Sequence, residues 1–225
     1  MLIRTVADED EAAHTAAALI EVSAAEAIAE RGHFNFAVSG GRTPWKTLEI
    51  LSDGEMDWSS TSLFQVDERV APTGSPERNL TQLILTLPLA CQAAIRPMPV
   101  GAEDLESAAA GYQDSLPDRL DLIHLGMGPD GHTASLIPGD PVLEVTDRDV
   151  ALTDGEYQGT RRMTLTYPAI DRARKLLFLV TGDGKEDALQ MLLAGDHSIP
   201  AGRVANGNAF LVTDLPVSGG ESDHG

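Results

Sequence analysis

The apolar and polar positions divide the chain into short and long patterns that alternate. "LIRTV" at residues 2–6 reads as a short strand. From residue 10 to residue 31, Ala16, Leu19, Ile20, Ser23, Ala24, Ala27 and Ile28 recur at i, i+3, i+4, i+7, i+8, i+11 and i+12, one small-residue face of a helix. Its start is acidic (Asp8, Glu9, Asp10, Glu11), which suits the positive end of the helix dipole, and Gly32 supplies a stop. "FNFAV", "DLIHLG", "DVALT", "RMTLT", "KLLFLV" and "NAFLVTD" are further strand-like runs, and "TSLFQVDERV" is an apolar run that ends in charge. Helices are expected from Pro44 onward, over residues 80–87 and 103–116, and along "GKEDALQMLLAG". This alternation predicts a doubly wound, mostly parallel α/β sheet with helices on both faces. No linker, charge block or repeat interrupts it. Residues 1–215 are therefore expected to form a single domain, with 216–225 as a frayed polar tail.

In doubly wound sheets, ligands bind beyond the carboxyl ends of the strands. The unusual residues of this chain gather there. Ser39-Gly40-Gly41-Arg42 follows one strand, Asp67-Glu68-Arg69 another, "GMGPDGH" (126–132) a third, and Gly182-Asp183-Gly184-Lys185 a fourth. These four strand ends are expected to face one crevice.

Composition narrows what could occupy it. With 225 residues, 42% of them hydrophobic, the chain can bury a sizeable core. Sixteen Lys and Arg against thirty-five Asp and Glu give a formal charge of −19, which repels nucleic acid and anionic membrane surfaces. An anionic ligand must then be held by a local basic cluster working against the global field. Cys91 is the only cysteine, so neither an intrachain disulfide nor a cysteine metal site is expected, and its thiol reads as a small buried group. The N-terminal residues lack the basic-then-apolar form of a signal peptide, and no apolar stretch approaches the ~20 residues of a membrane span. A soluble, cytoplasmic protein is expected.

The constellations differ in what they imply. "SGGRTP" (39–44) offers consecutive glycine amides, a hydroxyl and Arg42 before a helix, a natural phosphate site, although a plain strand-to-helix turn also needs glycine. In "VDERV" (66–70), Arg69 reads as a phosphate clamp held by Asp67 or Glu68, or else the three form a solvated charge cluster. "TGDGKE" (181–186) fails as a P-loop, since the upstream glycine is missing and Glu186 stands where Ser or Thr should bind magnesium; Lys185 remains a single phosphate contact or a surface lysine. Gly126-x-Gly128-x-x-Gly131 spells a dinucleotide fingerprint, but Asp130 would place negative charge where a pyrophosphate belongs. The helix expected after it is cut short by Pro138 and Pro141. His132 in the same loop suits general-base work, with Asp130 two residues upstream to orient it; the alternative is a surface histidine capping that helix. No G-x-S-x-G elbow or H-E-x-x-H zinc motif is present. His14, His33, His124, His197 and His224 show no metal-ligand spacing, and His124, within a strand, reads as a satisfied core histidine.

"SGGRTP", "VDERV", "GMGPDGHTASLIPG", "RRMTLT" and "VTGDGK" come in the order and spacing of the 6-phosphogluconolactonase family, which the chain resembles from about residue 34 to 204. The wider group includes the glucosamine-6-phosphate isomerase/deaminases. Membership implies a Rossmann-like α/β fold and hydrolysis of 6-phosphoglucono-δ-lactone in the oxidative pentose phosphate pathway, without a cofactor. It implies His132 as general base supported by Asp130, and a phosphate held by Ser39, Gly40, Gly41, Arg69 and Lys185, with Arg42 as a further candidate. Deaminases typically have tyrosine in place of Arg69 and a catalytic glutamate after a stretch resembling "IAFNEP", where this chain reads "TASLIP". The rivals to hydrolysis are a deaminase of the same group and a non-catalytic sugar-phosphate binding module. The chain departs from the family at Ile137, where Phe is common, at Arg78, where Ser is frequent, and near Phe210, which lacks a common tryptophan.

Overall fold

The computed structural model describes residues 1–217 apart from residues 93 and 206. Most of the polar tail expected at 216–225 lies outside the described residues. In chain order the elements are β1 (Leu2–Thr5), α1 (Glu9–Arg31), β2 (Phe34–Val38), α2 (Arg42–Asp53), β3 (Thr61–Gln65), β4 (Asp67–Arg69), α3 (Asn79–Thr86), α4 (Leu89–Gln92) and β5 (Ile95–Arg96). They continue with α5 (Leu105–Ser115), β6 (Leu122–Leu125), β7 (Val150–Leu152), β8 (Arg162–Leu165), α6 (Tyr167–Asp171), β9 (Lys175–Val180), α7 (Glu186–Leu193) and β10 (Ala209–Thr213).

Helix α1 shows how local chemistry sets these bounds. Asp8 accepts a hydrogen bond from Glu11 N, while the Glu11 carboxylate accepts from Ala7 N, a reciprocal cap on the first turn. Gly32 closes the other end through its N–H to the Ile28 carbonyl. The small-residue face is buried as expected, and His14 is exposed.

Seven strands form a sheet in the order β1-β10-β9-β6-β2-β3-β5, every pair parallel. Parallel strands must be covered on both faces. One face packs against α1 and α2 around Ile20, Phe34, Phe36, Leu48 and Leu177; the other meets α5, α6 and α7 around Tyr112, Ile123, Ile170, Phe178 and Leu189. The chain leaves β2 toward β3 on one side and later returns to lay β6 on the other. The carboxyl ends of β2 and β6 therefore flank the switch point where a crevice opens.

Two segments are organised in ways that the local pattern does not announce. "TSLFQVDERV" is not one strand: β3 belongs to the large sheet, whereas β4 joins an antiparallel sheet of order β4-β8-β7. Val66 is the junction, its N–H donating to the Val38 carbonyl at 3.0 Å and its own carbonyl accepting from Leu165 N at 2.8 Å. The helix expected after the glycine loop is also absent. There the chain turns on itself through Gly131 N to Gly128 O and Gly128 N to His132 O, both 3.0 Å, and Ala134 takes a left-handed φ of 53°. The next regular element is a single 3-10 turn at Pro141–Glu144.

His124 corrects a further expectation. It is 1% exposed in β6, yet neither ring nitrogen finds a hydrogen-bond partner among the described residues. Burial pushes its imidazole down from 6.5 to about 4. The unfolded chain thus takes up a proton below pH 6.5 that the folded chain refuses until about pH 4, so this residue costs stability as pH falls through that window. The loss at pH 5 is about 2 kcal/mol. Urea unfolding at pH 7 and pH 5 should show His124→Leu losing about that much less than the parent between the two. An equal loss in both would remove His124 as a source of acid sensitivity.

Candidate active site

The crevice at the switch point is a cavity of about 320 Å³, lined by Ser39–Pro44, Asp67, Arg69, Asn79, Gly126, Met127, His132, Ala134, Arg162, Thr181 and Lys185, with Glu9 and Leu179. It falls within the size range of small-molecule sites. The four strand ends read from sequence all reach it. Its lining includes four cationic side chains, Arg42, Arg69, Arg162 and Lys185, against the carboxylates Glu9 and Asp67. In a chain of charge −19 this is the local basic cluster that an anionic ligand needs.

At the end of β2, Gly41 precedes α2 without a side-chain cap, so the first-turn amides of the helix are open to an acceptor. The Ser39 hydroxyl donates to the His124 carbonyl at 3.1 Å, which ties the β2 end to β6 and leaves its oxygen lone pairs for other donors. Thr43 and Thr181 share a buried hydroxyl contact of 2.8 Å, joining α2 to the end of β9. Arg42 is 82% exposed at the rim and ion-paired with Glu9. Just before α7, the Lys185 carbonyl accepts from Leu189 N at 2.8 Å, while its ammonium lines the cavity with no side-chain hydrogen bond or ion pair among the described residues. Burial draws its ammonium below the ordinary lysine range, against the pull of Asp214 and Glu9.

Arg69 is held, but not as its sequence neighbours suggested. Its guanidinium donates to the Glu77 carbonyl at 2.7 Å and to Asn79 Oδ1 at 3.0 Å, with neither Asp67 nor Glu68 among those acceptors. Glu68 is fully buried and works through the backbone. Its carboxylate accepts from Arg69 N, Asn79 N and Leu80 N, all at 2.8 Å, and from Gln65 Nε2, anchoring the start of α3 beside β4. Arg78 is buried 3.6 Å from the same carboxylate. Asp67 instead accepts from Ser135 Oγ at 2.6 Å and lies 3.9 Å from Arg162.

Gly40 completes this arrangement by having no side chain. A Cβ there would stand 2.1 Å from Asn79 Oδ1, the atom that holds Arg69. We expect Gly40→Ala to displace Asn79 and raise KM roughly tenfold, the equivalent of one charge-assisted hydrogen bond. Steady-state kinetics with KM unchanged would break the link between Gly40, Asn79 and Arg69.

His132 Nδ1 lies 2.6 Å from Asp130 Oδ1, which also accepts from His132 N at 3.2 Å. A carboxylate only accepts, so the proton sits on Nδ1 and Nε2 carries the lone pair. Among the described residues Nε2 has no partner, and His132 lines the cavity while Asp130 stands behind it. Burial pushes the Asp130 carboxyl up, but the hydrogen bonds and charge of His132 and the Tyr157 hydroxyl together hold it below the usual range. The glycine pattern acquires a different meaning here. A Cβ on Gly128 would fall 2.2 Å from the His132 ring, so this glycine leaves space for the imidazole rather than for a pyrophosphate. The Gly128 and Gly131 amides are both committed within the loop and so are not free to bind a ligand oxyanion.

Sequence reading missed Arg162, Asn79, Tyr157 and Glu9. Arg162 is buried opposite Arg69 in the β4–β8 pair, a like-charge placement that Asp67 offsets. Burial lowers its guanidinium pKa, opposed by Asp67. "RRMTLT" was visible as a motif, but only the antiparallel pairing of a second sheet brings Arg162 to the cavity. Among the described residues, no group of three or more His, Cys, Asp or Glu side chains is placed to hold a metal ion.

A doubly wound parallel sheet with a largely cationic crevice and a His–Asp pair at its switch point defines an α/β protein with a site suited to an anionic ligand. The model of the "Glucosamine-6-phosphate isomerases/6-phosphogluconolactonase" family matches residues 7–213, so the chain belongs to that family. Within it, the chain is 39% identical over 185 residues to a 6-phosphogluconolactonase of Synechocystis sp., covering 75% of each. It is equally identical over 185 residues to that of Rhizobium meliloti, covering 77% of this chain and 80% of the relative. The crystal structure of 6-phosphogluconolactonase from Thermotoga maritima superposes with a TM-score of 0.83 at 26% identity, covering 94% of this chain and 98% of the other.

Proposed function

We propose that the protein hydrolyses 6-phosphoglucono-δ-lactone to 6-phosphogluconate, the step of the oxidative pentose phosphate pathway that opens the sugar lactone, and that one α/β domain over residues 1–215 does so in the cytoplasm. The observation that carries the reading is the pairing, in one cavity, of an Asp130-oriented histidine with four cationic side chains that outnumber the two carboxylates beside them. The lactonase relatives support the substrate.

His132 Nε2 takes a proton from water as its oxygen attacks the lactone carbonyl carbon. The tetrahedral intermediate collapses with cleavage of the bond to the ring oxygen, which takes the proton back from the imidazolium. Asp130 holds the tautomer and stabilises the imidazolium charge. The phosphate, remote from the reacting carbon, is gripped by the Ser39–Gly40–Gly41 turn, Arg69 and Lys185, with Arg42 exchanging Glu9 for the phosphate at the rim. A dianion beside Lys185 keeps that buried ammonium protonated. This remote grip supplies the orientation that the reacting end uses. Among the described residues no helix is long and apolar enough to cross a membrane.

The test is acid release from the lactone by the purified protein, net of spontaneous hydrolysis, with ammonia release from glucosamine 6-phosphate run in parallel. Acid without ammonia is expected. Ammonia alone would replace the reading with deamination, and neither would leave a binding module.

A further inference from the structure

Tyr157 lies outside the cavity lining, yet it touches both members of the His132–Asp130 pair. Its hydroxyl is 3.2 Å from Asp130 Oδ2 and 3.4 Å from His132 Nδ1, and its ring meets the imidazole edge-to-face at 5.1 Å. The placement is enforced. Tyr157 and Thr160 close a tight hairpin by exchanging backbone hydrogen bonds, with Gln158 and Gly159 between them in the left-handed region at φ 55° and 82°. Such a φ is costly for Gln158 and persists only where the surroundings hold it. Arg162 does so from the other side, donating to the Tyr157 carbonyl at 3.1 Å with its guanidinium 5.4 Å from the ring centroid. Ring packing alone would be served by phenylalanine. The hydroxyl is aimed at the one carboxylate oxygen that His132 leaves free.

We infer that Tyr157 is a positioning residue for the reaction, its hydroxyl donating to Asp130 Oδ2 so that the carboxylate is fixed against Nδ1 and Nε2 is held toward the cavity. The inference rests on His132 acting as general base. Because the hydroxyl donates to the carboxylate, it also withdraws charge from the anion that stabilises the imidazolium. Burial and the Asp130 charge push the phenol up from its ordinary value, so it remains a donor throughout the working pH range. The other charged groups facing the pair are Arg162 behind the tyrosine and, across the cavity, Asp67, Arg69, Arg42, Glu9 and Lys185, and none of these is altered by removing the hydroxyl.

Tyr157→Phe keeps the ring against His132 and Arg162 and deletes only the hydroxyl. Measured from pH 5 to 8, net of spontaneous hydrolysis, kcat should fall roughly tenfold, KM should stay within about twofold, and the acidic limb of kcat/KM should move to higher pH. The shift is upward because a carboxylate without its donor favours the protonated imidazole. A profile superimposable on the parent's would overturn the inference. So would a fall in kcat with the limb unmoved, which is what loosened packing produces, or a rise in KM alone, which marks a substrate contact. His132→Ala in the same series separates the two levels: if it retains parental turnover, the general-base reading itself fails, whatever Tyr157→Phe does.

Discussion

His132→Ala should lower kcat at least ~10²-fold, the lower end of what a positioned general base contributes, while 6-phosphogluconate still binds. The split follows from the architecture. The imidazole comes from the loop after β6, whereas the residues proposed to grip the phosphate come from the ends of β2, β4 and β9, so alanine removes the proposed proton acceptor and leaves the cationic lining in place. Asp130 cannot take over, because it lies behind the imidazole and its carboxyl is held below the usual range. Single-turnover hydrolysis together with product titration by calorimetry checks both halves. Parental turnover in the variant would remove His132 from the mechanism; lost binding would show that the histidine also holds the ligand.

Arg69→Ala should act on the other quantity. Its guanidinium is fixed by the Glu77 carbonyl and Asn79, leaving donors for an anion in the cavity, and a charge-assisted hydrogen bond is worth about 1.5–3 kcal/mol. KM should rise roughly ten- to a hundredfold with a smaller change in kcat. The loss falls at the low end if Arg162, its cross-strand partner, takes up part of the contact. A KM equal to the parent's would take the clamp role from Arg69.

The part of the fold that positions the site was largely legible. Helix caps, the apolar runs and the alternation of elements are local signals, and they carried the parallel sheet and the four strand ends. What escaped depends on distant pairing. Nothing near Val66 announces that the chain changes sheets there, because the junction is made by bonds to Val38 and Leu165. Arg162 and Tyr157 reach the site only through that second sheet and its hairpin. Sequence adjacency also misassigned partners: Asp67 and Glu68 were the obvious holders of Arg69, but strand alternation turns Glu68 to the other face, Asp67 accepts from Ser135 instead, and a residue on α3 does the work. For His124 the local pattern was correct and the inference from it was not, since a strand position indicates burial but not whether a donor lies within reach.

One cavity joins the proposed phosphate grip to the proposed general base, and the most direct test removes the phosphate from the substrate rather than a residue from the protein. The measurement is kcat/KM for 6-phosphoglucono-δ-lactone against unphosphorylated glucono-δ-lactone, each net of spontaneous hydrolysis. The basic lining predicts a preference of at least ~10²-fold for the phosphorylated lactone, the worth of about two charge-assisted contacts. Equal rates on the two lactones would contradict it.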